Sequence, residues 1–129
     1  MSHIYIIAPV GSDPEYRIKR TILDKLSAES GLRFFFPLDQ HQNFSIAVAR
    51  NDLRTANLVI ADLSLERPSC YFELGIAQGL DIAVSQIART GTPIHQTANR
   101  SKVHFYADLH EYEMLLRELI EIGKISNAA

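Results

Sequence analysis

Residues 57–80 read NLVIADLSLERPSCYFELGIAQGL, and this stretch decides the fold. Its opening, residues 58–61, is a short apolar run rich in β-branched side chains, the pattern of a strand covered on both faces. Asp62 closes the run, and a polar loop follows, punctuated by Pro68 and Ser69. Residues 70–80 then read as a helix too apolar around its circumference to lie on a surface. The rest of the chain reads as support for this unit.

Upstream, residues 4–8 form a continuous apolar run ending in Pro9-Val10-Gly11, as expected of a central parallel strand entering a loop. Ser12, Asp13, Pro14 and Glu15 announce a helix start. Ile18, Ile22 and Leu26, with Leu23 beside them, recur at helical spacing, and Gly31 is the expected C-cap. Residues 32–38 read as a second strand. Its Phe34, Phe35 and Phe36 are expected in the core, the alternative being an aromatic platform for a base. A polar loop at 39–43 leads to a helix over 44–56, with Ile46, Ala49, Leu53 and Ala56 on one face and Asp52 on its flank. Downstream, 82–88 reads as a fourth strand, 89–100 as a polar loop and 102–106 as a fifth strand. A last amphipathic helix, from about 110 to 123, carries Tyr112, Leu115, Leu116, Leu119 and Ile120 on its core side, and the tail at 126–129 is expected to fray.

Strands and helices thus alternate five times, with no internal repeat or low-complexity linker. The pattern predicts an α/β protein, a three-layer sandwich around a five-stranded parallel sheet. The expected strand order is 2-1-3-4-5, of the flavodoxin-like or Rossmann-like kind, in one domain over residues 1–125. Such folds bind ligands outside the carboxyl ends of their strands. The loops at 8–13, 38–44 and 62–69 should therefore line a site.

The chain has 129 residues, 47% hydrophobic and 22% charged, which suits one domain with a real core. A formal net charge of −2 supplies no general attraction for phosphate backbones or anionic lipid, so neither nucleic acid nor membrane is an expected partner. Cys70 is the single cysteine, which excludes an internal disulfide and suggests a reducing compartment. The opening MSHIYIIAPVGSD lacks a basic n-region and no run reaches membrane-spanning length, so a cytoplasmic location is expected.

Several chemistries lack their motifs. Neither GxxxxGK[ST] nor GxGxxG occurs, the five histidines form no HExxH or CxxC-like constellation, and no GxSxG elbow is present. No metal or organic cofactor is expected. Carboxylates remain. Glu73 stands among Tyr71, Phe72, Leu74, Ile76 and Ala77, with no polar face to share, and is expected to be buried in the first turn of its helix. One reading is a helix-start carboxylate favoured by the macrodipole, although Cys70 stands where a capping box would need Ser or Thr. The other is function, because burying an ionisable group is costly. With Asp62 ending the adjoining strand and Asp52 on the preceding helix, Glu73 suits the breaking of a glycosidic bond, one carboxylate attacking or stabilising an oxocarbenium-like carbon. Spacing leaves Asp52 open between a site residue and an exposed flank residue beside Arg54.

NDLRTANLVIADL followed by RPSCYFELGIAQGL resembles the nucleoside 2-deoxyribosyltransferase family and its TIR-like relatives, over nearly the whole chain. The resemblance implies that Glu73, in the ELG triplet, is the nucleophile taking the sugar. It implies that Tyr5, in an IY pair on the first strand, orients that glutamate, and that Asp52, in NDL, helps hold the base. Where transferases of this kind carry a base-contacting aspartate, this chain has Arg67, which brings it nearer to TIR-like sequences linked to nucleotide or NAD cleavage. Arg67 suits a phosphate by its bidentate geometry, the competing reading being an exposed arginine with no ligand. The expected site joins catalytic Glu73, Tyr5 and Asp52 to substrate-binding Asp62, Arg67, Ser69, Ala8, Pro9 and Gly11. The expected substrate is a nucleoside, a nucleoside monophosphate or an NAD-like dinucleotide. The family's shared sites imply a homo-oligomer. The rival from another class is a nucleotide-sensing or TIR-like interaction domain without turnover.

Overall fold

The first strand, β1 (His3–Ile7), is buried along its whole length, and its residues divide by parity. Ile4 and Ile6 pack on one face of the sheet with Leu23, Leu26, Leu116 and Ile120. Tyr5 and Ile7 pack on the other with Leu53, Cys70, Leu74 and Ala77. Alternation of side chains along a strand makes an apolar run serve two cores at once. The computed structural model describes residues 3–37 and 45–128, with side chains described through residue 124.

The elements are β1, α1 (Tyr16–Ser30), β2 (Arg33–Phe35), α2 (Ile46–Arg54), β3 (Ala56–Asp62), α3 (Pro68–Gly79), β4 (Val84–Arg89), β5 (His104–Tyr106) and α4 (Leu109–Ala128), with short 3₁₀ turns at Ser64–Glu66 and Arg100–Lys102. The sheet order is β2-β1-β3-β4-β5 and every pairing is parallel. This is the expected 2-1-3-4-5 α/β sandwich. One face of the sheet is covered by α1 and α4, the other by α2 and α3.

Gly31 caps α1 in the left-handed conformation (φ 74°), its N–H bonding the Ser27 carbonyl at 3.0 Å. All three phenylalanines of the second strand region are buried, as expected of core residues. Tyr112, Leu116, Leu119 and Ile120 of α4 are buried, with Leu115 packed against them.

Several boundaries differ from the sequence reading. The helix α3 begins at Pro68 rather than residue 70, because Pro at the first helical position fits a fixed φ and a missing N–H. The last helix continues through Ala128 instead of ending near residue 123. On α1 the buried positions are Lys19, Leu23 and Leu26, while Ile18 is 52% exposed. The expected loop at 38–44 and the start of the second helix at 44 lie outside the described residues.

Candidate functional site

The carboxyl ends of β1 and β2 open into a cavity of about 590 Å³, a size suited to a small-molecule ligand. One wall is the loop that leaves β1, contributing Ala8, Pro9, Val10, Gly11 and Ser12, with Tyr16 from the start of α1. The facing wall is the beginning of α3, contributing Arg67, Ser69, Cys70, Phe72 and Glu73. Ile6, Phe36 and Pro37 complete the lining. Six of the nine expected site residues, Glu73, Arg67, Ser69, Ala8, Pro9 and Gly11, thus meet around one space.

Glu73 is half-buried and, among the described residues, makes no hydrogen bond or ion pair. Burial pushes its carboxyl up from 4.5 to about 7, because the charged form loses hydration without gaining a partner. Two expectations change here. Glu73 is half-buried rather than fully buried, since it faces the cavity. With Pro68 at the first helical position, Glu73 sits in the second turn of α3, beyond the free N–H groups that a helix-start carboxylate would use.

Tyr5 and Asp52 do not line the cavity among the described residues. Tyr5 is fully buried against Phe35, with ring centroids 5.4 Å apart, and its hydroxyl has no hydrogen-bond partner among the described residues. Burial, then the charges of Glu73 and Asp52, raise its pKa above the ordinary phenol value. Glu73 and Asp52 are therefore both within electrostatic reach of that hydroxyl. Asp52 lies half-buried on α2, and its backbone carbonyl accepts a 2.9 Å hydrogen bond from His3 Nε2.

Asp62 is placed differently from the expectation of a residue lining the site. Only 3% exposed, it does not line the cavity and has both oxygens engaged. Its Oδ1 accepts from the Ser64 N–H at 3.1 Å and the Ser64 hydroxyl at 2.7 Å. Its Oδ2 accepts from the Tyr106 hydroxyl at 2.8 Å and faces the Lys19 ammonium at 3.4 Å. Its partners are thus side chains and backbone of the fold, and it stands apart from the six expected residues that meet at the cavity.

The sequence reading also missed Lys19, 3% exposed, whose ammonium donates to Asp13 at 2.6 Å and to the Tyr106 hydroxyl at 2.7 Å. Burial alone would lower its pKa, but the Asp62 charge and the hydrogen bonds to Asp13 and Tyr106 outweigh it and hold the ammonium above its usual range. A signal existed: positions 19, 23 and 26 fall on one helical face, so Lys19 continues the buried stripe. Among the described residues no group of three or more His, Cys, Asp and Glu is placed to hold a metal ion, and no helix is long and apolar enough to cross a membrane.

The approach to α3 is strained. Leu65 and Glu66 both have positive φ, 69° and 53°, in the turn that delivers Arg67 to the cavity rim. The Glu66 carboxylate accepts from His95 Nε2 at 2.8 Å, and the Tyr71 hydroxyl accepts from the His95 N–H at 2.9 Å, which anchors that turn to the loop after β4.

No family model matches the chain, and no curated protein matches it in sequence. Solved structures do share its fold. The TIR domain of the Toll-related receptor TRR-2 from Hydra magnipapillata superposes with a TM-score of 0.62 at 19% identity, covering 94% of this chain and 97% of that one. A 2-deoxyribosyltransferase from Bacillus psychrosaccharolyticus gives 0.60 at 18% identity, over 88% and 90% of the two chains. The corresponding enzyme from Leishmania mexicana gives 0.56 at 21%, over 85% and 86%. The fold is the one that TIR domains and deoxyribosyltransferases have in common.

Proposed function

We propose that this protein breaks the N-glycosidic bond of a nucleoside, a nucleoside monophosphate or an NAD-like nucleotide. The observation that carries the reading is Glu73, a carboxyl without a partner among the described residues, held near pKa 7 by burial and facing a ligand-sized cavity. As its anion, Glu73 attacks C1′ or stabilises the positive charge that develops there. The C1′–N bond breaks, its electron pair leaves with the base, and water or a second base then takes the sugar from the carboxylate. The desolvated anion is a better nucleophile than a hydrated one, and about half the molecules carry it near neutral pH.

Tyr5 is proposed to position Glu73, a role suited to a buried hydroxyl whose hydrogen bond is open among the described residues. Asp52 is proposed to hold the base and Arg67 a phosphate. Arg67 is the one cation among the described cavity residues, and no hydrogen bond of its guanidinium is seen among them. Ser69 and the backbone of Ala8, Pro9 and Gly11 shape the walls around the substrate. A homo-oligomer belongs to the same proposal. The deoxyribosyltransferase neighbours support the reading through their fold alone.

The second reading is a nucleotide-sensing or interaction domain without turnover, favoured by Arg67 at the rim and by the fold shared with a TIR domain. Chromatography for free base after incubation with nucleosides, their 5′-monophosphates and NAD separates the two. Release by the wild type and not by Glu73→Gln is the expected result. No release, with a nucleotide still raising Tm, would replace catalysis with sensing.

A further inference from the structure

The cavity has two walls, and a buried ion cluster ties them together. The loop wall ends at Asp13, whose Oδ1 accepts from the Glu15 N–H at 2.8 Å and whose Oδ2 accepts from Lys19 at 2.6 Å. The α3 wall is delivered by the connection that begins at Asp62 and Ser64. Both of these residues belong to the same cluster: Asp62 faces Lys19, and the Ser64 hydroxyl lies 2.9 Å from that of Tyr106 and accepts from the Arg89 N–H at 2.8 Å. The side chains of Lys19, Asp13 and Asp62 are each 5% exposed or less. The Lys19 ammonium also stands 5.0 Å and 5.3 Å from the Tyr106 and Tyr112 ring centroids. Lys19 is thus the atom-level link between the loop on one side of the cavity and the strand end that launches the other.

A buried ion cluster is a poor way to gain stability, since apolar packing of the same volume does as well or better. What it supplies is fixed geometry, because each charge has few places where it is satisfied. Among the described residues, the loop wall at 9–13 is otherwise held by three backbone hydrogen bonds, one of them from the Tyr16 N–H to the Asp13 carbonyl at 3.0 Å. Its internal bonds are Val10 N–H to Ala8 carbonyl at 2.9 Å and Asp13 N–H to Pro9 carbonyl at 3.1 Å.

We infer that Lys19 is a positioning residue, holding the 9–13 loop at a set distance from Glu73 by joining Asp13 to Asp62 and Tyr106. In its catalytic consequence the inference rests on the proposed reaction; in its structural consequence it stands alone. The test compares wild type, Lys19→Met and Asp13→Asn, the last removing the loop's charge and one of the two acceptor oxygens that serve Lys19 and the Glu15 N–H, while Lys19, Asp62 and Tyr106 stay joined. Hydrogen exchange read by mass spectrometry should show the 9–13 amides exchanging about tenfold faster in both variants, with the β1 amides unchanged. With whichever nucleotide the base-release assay identifies, KM should rise about tenfold while kcat changes less than about threefold, the split expected when a binding wall loosens. Loop exchange within about twofold of wild type in folded variants would overturn the inference, as would faster exchange spread evenly over the sheet. If Lys19→Met fails to fold, Asp13→Asn decides alone. If the wild type releases no base, the proposed reaction falls, and loop exchange together with the thermal shift given by nucleoside 5′-monophosphates still decides the role of Lys19.

Discussion

Asp62 and Glu73 leave the same β3–α3 connection, one at its start and one just past its end, and their surroundings are opposite. Asp62 is enclosed and accepts from Ser64 and Tyr106 with Lys19 alongside. Glu73 meets no donor among the described residues and opens onto the cavity. The difference teaches that burial alone does not mark a functional carboxylate. A carboxylate whose lone pairs are used is architecture; one deprived of water and left without a partner is available for chemistry.

The contrast breaks most visibly through activity. Glu73→Gln should lose base release on the order of 10³-fold or more, while nucleotide binding by thermal shift is kept. A Gln variant that still turns over would remove Glu73 from the reaction.

The mirror experiment concerns stability. Asp62→Ala leaves Lys19 with Asp13 as its one anionic partner among the described residues and takes the carboxylate acceptor from the Tyr106 and Ser64 hydroxyls, so urea denaturation should show a loss of about 3–5 kcal/mol. A loss below about 1 kcal/mol would mean that the cluster is not the anchor its geometry describes.

The pH dependence of Glu73 sharpens the comparison further. Burial raises its carboxyl from 4.5 to about 7, so the folded chain holds this proton more tightly than the unfolded chain. The resulting stability is complete below the unfolded value and is lost as pH rises through about 7. Glu73→Gln cannot ionise, so above about pH 8 it should be the more stable protein by about 1–3 kcal/mol, converging on wild type near about pH 4.5. Base release should rise across the same range, because the anion is the nucleophile. Equal stabilities at all pH values would show that the carboxylate stays hydrated.

The smallest effect lies in the strained turn between the two carboxylates. Asn tolerates the left-handed region better than Leu, so Leu65→Asn should gain about 0.5–1 kcal/mol by thermal denaturation, provided the 45% exposed Leu65 side chain contributes little packing. A loss would mean that Leu65 packs on something its exposure conceals.

The layers and the strand order were legible because they rest on local repetition. Apolar runs such as 4–8 and 58–61 announce strands covered on both sides, and helices between them force parallel crossovers. The gathering of Ala8, Pro9, Gly11, Arg67, Ser69 and Glu73 followed from the same rule, since they lie in the loop after β1 or in the connection after β3 and the start of the helix it feeds. The placement of Glu73 in its helix was misread by one turn because Pro68 starts the helix early. Lys19 escaped notice because lysine is seldom buried without a partner, and its partners come from other elements.

Local pattern therefore settled the α/β architecture and the end of the sheet at which a site would form. Tertiary structure alone decided which carboxylate there was spoken for. Asp62 is neutralised by a lysine 43 positions before it and bonded by a tyrosine 44 positions after it, while no such group reaches Glu73 among the described residues. Period and propensity act over a few residues, whereas hydrogen-bond satisfaction is decided by whichever side chains the fold brings within about 3 Å.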